Sequence, residues 1–197
     1  IMARTKDKEP SEQRRHRTCA TMEEHRRLAH LYPEYRRRRR EIELETRQFI
    51  ARYAAEGLRT GVVRIPVVVH VVWNTAAQNV SDAQIQSQID VLNADFRRTN
   101  ADAASVPAHF AGVAADARIE FALAVRDPNC GATTGITRTN TATTGFTRAT
   151  RNNVKSAATG GADPWPSDRY LNMWVANFTD DLLGFAEAER RPNSRLG

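Results

Sequence analysis

The densest apolar run in the chain is Arg64–Trp73, RIPVVVHVVW. Its apolar residues do not alternate with polar ones and most are β-branched, which predicts a strand buried on both faces, spanning about Val62 to Val72. A turn at Asn74–Asn79 follows. Ile85, Ile89, Leu92 and Phe96 then recur at helical spacing and predict one amphipathic helix from Ser81 to Arg98. Ser81 is placed to cap it and Gln84 to close a capping box. Asp82 stands in the first turn, and Arg97 and Arg98 stand in the last, where the helix dipole favours each sign of charge. The apolar stripe needs a surface to pack on, and the Val-rich strand is the nearest. Further on, Arg118–Arg126 alternates, with Ile119, Phe121, Leu123 and Val125 on one face, as a half-buried strand does. Tyr170–Phe178 reads as another buried strand, Leu182–Ala186 as a short one, and Asn152–Ala158 as a short helix ending at Gly160–Gly161.

The fold class this predicts is α/β (α+β), an open sheet with one backing helix. No second long helix is available for the other face, so the sheet is expected to be covered on one side only. Before it, Met22 to Tyr53 is helix-forming, and Pro33 divides the pattern into two helices. Residues 1–18 lack periodicity and are expected to be disordered. Gly57 and Gly61 mark a boundary. The resulting divisions are an extension at 1–60, a folded body at 61–186 and a charged tail of different character at 187–197.

Charge sharpens that division. Residues 1–60 hold 16 of the 29 Lys and Arg and 10 of the 23 Asp and Glu, so the whole net charge of +6 sits in the extension. The body is neutral, which argues against nucleic-acid binding there. Arg36–Arg40 reads as a solvated helix face, with a basic nucleic-acid or membrane-surface patch as the minority alternative. No apolar run approaches the ~20 residues of a membrane span, and Ile1–Pro10 has no apolar stretch of the signal-peptide kind. Cys19 and Cys130 are too few for a disulfide scaffold, leaving one bridge or two thiols.

Candidate chemistry is sparse. The five histidines are His16, His25, His30, His70 and His109, and none begins H-E-x-x-H. His70 falls in the Val-rich strand and reads as a satisfied core histidine. A zinc site from these residues alone is not expected. Asp163, Asp168, Asp180 and Asp181 read as turn and cap residues, with a calcium site as the alternative. No G-x-S-x-G occurs. Trp165, Tyr170 and Trp174 read as anchors. Asn79 and Asn177 open N-x-[ST] triplets, a pattern common by chance.

The blocks RIPVVVHVVW, DAQIQSQIDVLNADFRRTN, RIEFALAV, GITRTNT and WPSDRYLNMWV, in this order, resemble the pappalysin/cytophagalysin family of zinc metallopeptidases of the metzincin clan. The resemblance runs from about Arg17 to Phe185. It implies a metzincin-like N-terminal subdomain, a twisted mixed sheet with a backing helix, preceded by a helical propeptide-like extension. In the family an active-site helix follows, bearing H-E-x-x-H-x-x-G-x-x-H, whose histidines hold zinc and whose Glu acts as general base. That motif is absent from this chain. The resemblance therefore implies the N-terminal portion of a secreted zinc metalloendopeptidase acting on protein or peptide substrates, inactive as it stands. It also implies a propeptide cysteine that ligates the catalytic zinc. Cys19 matches that role, with Ala20 where the family has Gly. Leu182, Leu183, Gly184, Phe185 and Ala186 match the strand that lines the family's cleft, to whose edge substrate adds. Two further readings stand beside this one. One is a non-catalytic binding module that has lost the helix. The other, weaker, is a basic arm that binds nucleic acid.

Overall fold

The computed structural model describes residues 18–56 and 61–187. The polar segment 1–17 with His16, the junction at 57–60 and the tail beyond 187 lie outside the described residues. The elements run β1 (Thr18–Cys19), α1 (Thr21–Leu31), α2 (Pro33–Glu56), β2 (Val63–Trp73), α3 (Asp82–Phe96), α4 (Ala108–Ala111), β3 (Ile119–Leu123), β4 (Ile136–Asn140), β5 (Leu171–Val175) and β6 (Leu182–Gly184). Thr18, expected to close a disordered segment, instead opens a strand.

The Val-rich run is the centre of the main sheet. Along one edge, β3 pairs with its first half and β4 with its second, while β5 pairs with the middle along the other edge. All these ladders run parallel, where the resemblance implied a mixed sheet. The hand-over from β3 to β4 is tight. Ala124 N donates to Val67 O and Val69 N donates to Gly135 O, each at 2.8 Å. Gly135 has φ +72°, and a Cβ there would meet Ala124 N at 2.6 Å, so only glycine suits the site.

Residues Val67 to Val72 are all buried, as the unbroken apolar run predicts. Val67, Val69 and Val71 pack with Ile85 and Ile89 of α3 and with Phe121. Burial of each such side chain is worth about 1.5–3 kcal/mol. Ser81 caps α3, its Oγ accepting from Gln84 N at 3.2 Å. Asn93 of α3 acts as a peptide mimic on the outer edge of β3. Its Oδ1 accepts from Phe121 N at 2.7 Å and its Nδ2 donates to Phe121 O at 3.0 Å, so that edge is not left open at this point.

The second face is covered after all. Val72 packs with Phe146, Val154 and Ala162, and Trp174 joins them. The cover is the Thr- and Asn-rich stretch from 141 to 162, wound into 3-10 turns at Arg151–Lys155 and Ala157–Thr159 where one short helix was expected. Its few apolar residues carry no period, so the sequence pattern does not mark it as a layer.

In the extension, Pro33 divides two helices as expected, with Tyr32 extended before it. Only Leu28 and Tyr35 of the periodic residues are buried. Ile42, Leu44, Phe49 and Ile50 are exposed on α2, and Arg36–Arg40 lies largely in solvent, with Arg37 and Arg38 near Glu41.

This packing sets a contrast. Ile89→Ala removes a side chain 2% exposed in the core and is expected to cost about 2–5 kcal/mol. Ile50→Ser, at a residue 62% exposed, is expected to change stability by no more than ~0.5 kcal/mol. Urea denaturation of both variants checks this.

Candidate functional site

The strand β6 is separate from the main sheet, and its partner is the extension. A turn precedes it in which Asp180 and Asp181 both have φ 56°, a left-handed conformation that Asp tolerates better than most residues. Asp181 O accepts from Thr18 N at 2.8 Å and Gly184 O accepts from Ala20 N at 2.9 Å. Thr18 and Cys19 thereby run parallel to Leu182–Gly184, with a register shift between them. Thr21 Oγ1 then accepts from Ala186 N at 2.9 Å. Leu182 is buried and Leu183 is exposed, as alternation along a strand requires. Phe185 stands edge-on to Phe178, with Lys155 Nζ 4.5 Å above its ring.

Cys19 is exposed. Its Sγ lies 3.0 Å from Thr21 Oγ1, and hydrogen bonds from the Thr21 hydroxyl and backbone hold the thiol below its ordinary value. That favours thiolate, the metal-binding form. Ala20 has φ −98° and is fully buried, so the backbone here does not need glycine. Cys130 is also a free, exposed thiol, in the turn at Asp127–Gly131, so the two cysteines do not pair.

A charge cluster fastens the first turns of α1 to the body. Glu24 is fully buried. Arg151 donates to its Oε2 from Nη2 at 2.7 Å and from Nε at 3.2 Å. Asn152 Nδ2 lies 3.1 and 3.2 Å from its two oxygens, and Arg27 Nε lies 3.2 and 3.1 Å from them. Burial pushes the Glu24 carboxyl up, but the hydrogen bonds from Arg27 and Asn152 and the charges of Arg27 and Arg151 outweigh it and hold it at about 2. Beside it, Arg148 Nη1 donates to Glu23 Oε1 at 2.7 Å and Nη2 to Thr18 Oγ1 at 2.6 Å. Sequence reasoning missed Glu23, Glu24, Arg148, Arg151 and Asn152. The one local signal was Glu24 three residues before Arg27; nothing in the sequence links it to Arg151.

The histidines are not gathered. Burial lowers the pKa of His70, and both its nitrogens are bonded, to Thr137 Oγ1 at 2.8 Å and Asn172 Oδ1 at 3.0 Å. His25 bonds Tyr35 OH at 3.0 Å, and His109 lies against Phe110. Asp163 Oδ1 accepts from Ala157 N, and Asp180 Oδ2 accepts from Arg148 N. Among the described residues no group of three or more His, Cys, Asp or Glu could hold a metal ion. Trp174 stacks on His70 and bonds Ala162 O, and Tyr170 bonds Arg126 O, so both anchor the fold. Asn177 Nδ2 is taken up by Thr144 O. No described helix is long and apolar enough to cross a membrane.

The molecule is thus a mixed α/β domain of metzincin-like form, with a helical extension laid as a strand on one of its edges. In sequence and structure it is similar to mirolysin, a metzincin-type metallopeptidase. Mirolysin in complex with compound 9 matches 65% of this chain at 56% identity and TM-score 0.61. Tannerella forsythia mature mirolysin in complex with a cleaved peptide matches 66%, at 56% identity and TM-score 0.62. A mutant of Tannerella forsythia promirolysin matches 87%, at 46% identity and TM-score 0.65. The chain covers 47%, 47% and 54% of these chains, about half the length of the structures it matches. No family model matches it, and no curated protein does.

The depressed Glu24 value fixes a sign. A carboxyl held at about 2 against an ordinary 4.5 stabilises the docked extension fully above pH 4.5, and that contribution is lost as pH falls from there towards 2. Hydrogen-exchange protection of the Ala20 and Glu24 amides, corrected for intrinsic rate, is expected to fall over this window. In Glu24→Gln the protection is expected to be lower at neutral pH, by on the order of 3 kcal/mol, and flatter with acid.

Proposed function

We propose that this chain is the pro-segment and the N-terminal, sheet-bearing part of the catalytic domain of a secreted zinc metalloendopeptidase of the pappalysin type. The observation that carries this is the docking of Thr18–Cys19 as an added strand on β6, the edge to which a peptide substrate adds in the family. An edge already paired is closed to a second strand, so the extension keeps substrate out. The coverage supports the same division. The mature mirolysin structures match about two thirds of the chain, while promirolysin matches 87%.

Within this reading Cys19 is the thiolate that would ligate the zinc, and Thr21 favours its ionised form. The residues described here do not fit a catalytic zinc by themselves. Cys19 offers one donor, no group of three lies near it, and H-E-x-x-H is absent from the sequence. On this reading the chain alone is inactive. One observation favours the alternative of a non-catalytic interaction module. Both faces of β2 are covered within the described residues, so the body has a closed core of its own.

Two measurements separate them. The purified chain is expected to hold substoichiometric zinc and to show no chelator-sensitive cleavage of a quenched fluorescent peptide. Joined to the remaining half of mirolysin, it is expected to bind zinc and to stay latent until the extension is cut away. Cys19→Ala in that fusion is expected to raise activity before cutting. A fusion that folds and binds zinc but cleaves nothing after cutting would favour the interaction module.

A further inference from the structure

Glu24 is held by two groups of the body that do not depend on the extension for their place. Arg151 and Asn152 open the 3-10 turn Arg151–Lys155, whose Val154 is buried in the second core, with Val154 O accepting from Ala162 N at 3.0 Å. The Arg151 side chain is fixed from two more sides. Its Nη1 donates to Arg148 O, and its guanidinium lies 5.7 Å from the centre of the Phe185 ring. It is 9% exposed. A guanidinium does not shed its proton, so withdrawal of Glu24 would leave a fixed cation without its counter-charge. A planar fork with a second amide donor beside it pairs more strongly with a carboxylate than with a neutral amide.

We infer that Arg151 and Asn152 form a carboxylate-binding site of the body, filled in this chain by Glu24, and that an acidic side chain of another peptide laid along β6 takes it when the extension is withdrawn. The location fits that occupant. Backbone pairing follows β6 from Leu182 to Gly184, Thr21 continues it to Ala186, and Glu24 comes one turn of α1 later. The use of the site by an outside peptide rests on the extension being a removable pro-segment; the carboxylate preference does not.

The first arm of the test uses the full chain. Glu24→Ala opens a space the size of a small carboxylate beside Arg151. Sodium acetate is expected to raise the Tm of this variant saturably, beyond sodium chloride at equal ionic strength, and to leave wild type unmoved. Glu24→Gln fills the space and is expected to show no acetate-specific shift. Equal shifts by acetate and chloride in Glu24→Ala would overturn the site. The second arm cuts the wild-type chain between extension and body, removes the extension, and follows a fluorescent peptide of residues 18–32 by anisotropy on the body. The peptide with Glu at its seventh position is expected to bind about tenfold tighter than the same peptide with Gln there, as a charge-assisted pair requires. Equal affinities would overturn the peptide as occupant. A chain that never releases its extension would still show the acetate response.

Discussion

A strand buried on both faces has to be satisfied in every direction at once. β2 carries six consecutive buried residues, so its backbone needs partners along both edges and its side chains need cover above and below. The rest of the body answers those needs. β3 and β4 share one edge, β5 takes the other, α3 supplies one face, and the 141–162 segment supplies the second. Even the polar residue in the run obeys the rule. His70 is bonded at both ring nitrogens and stacked on Trp174, so it adds rigidity and no ligand.

The extension is attached by two physically different ties. The strand pairing of β1 with β6 uses backbone groups, and any extended peptide can make it. The Glu24–Arg151–Asn152 cluster and the Arg148–Glu23 pair use side chains, and they select this segment. The buried carboxylate matters more than the exposed pair, since charges in solvent are screened and charges away from it are not. General strand addition plus one specific charged anchor is an arrangement that fixes both the course and the identity of the docked segment. Promirolysin matches 87% of the chain and mature mirolysin 66%.

Several elements were legible because their signals are local. The Val run, the Ser81-capped helix with its Ile85 and Ile89 stripe, and the break at Pro33 each follow from spacing and from backbone chemistry within a few residues. The short strand at Leu182 was legible too, and the resemblance singled out Cys19. The cover on the second face was not, because Phe146, Val154 and Ala162 recur at no regular interval and sit among Thr and Asn. Nor was the pairing of Cys19 with Gly184, because an edge strand of two residues has no pattern of its own.

By itself the sequence determined the central strand, its backing helix, the break between the two helices of the extension, and the absence of a histidine motif for zinc. These depend on local periodicity, capping and composition. Only the tertiary structure decided that the extension occupies the β6 edge and that Glu24 is buried against Arg151. Those two residues are 127 positions apart, and a contact of that separation is fixed by how the layers stack. The same glutamate, read in sequence, is one of many exposed-looking charges in a basic arm. In the folded chain it is the buried carboxylate that anchors the arm.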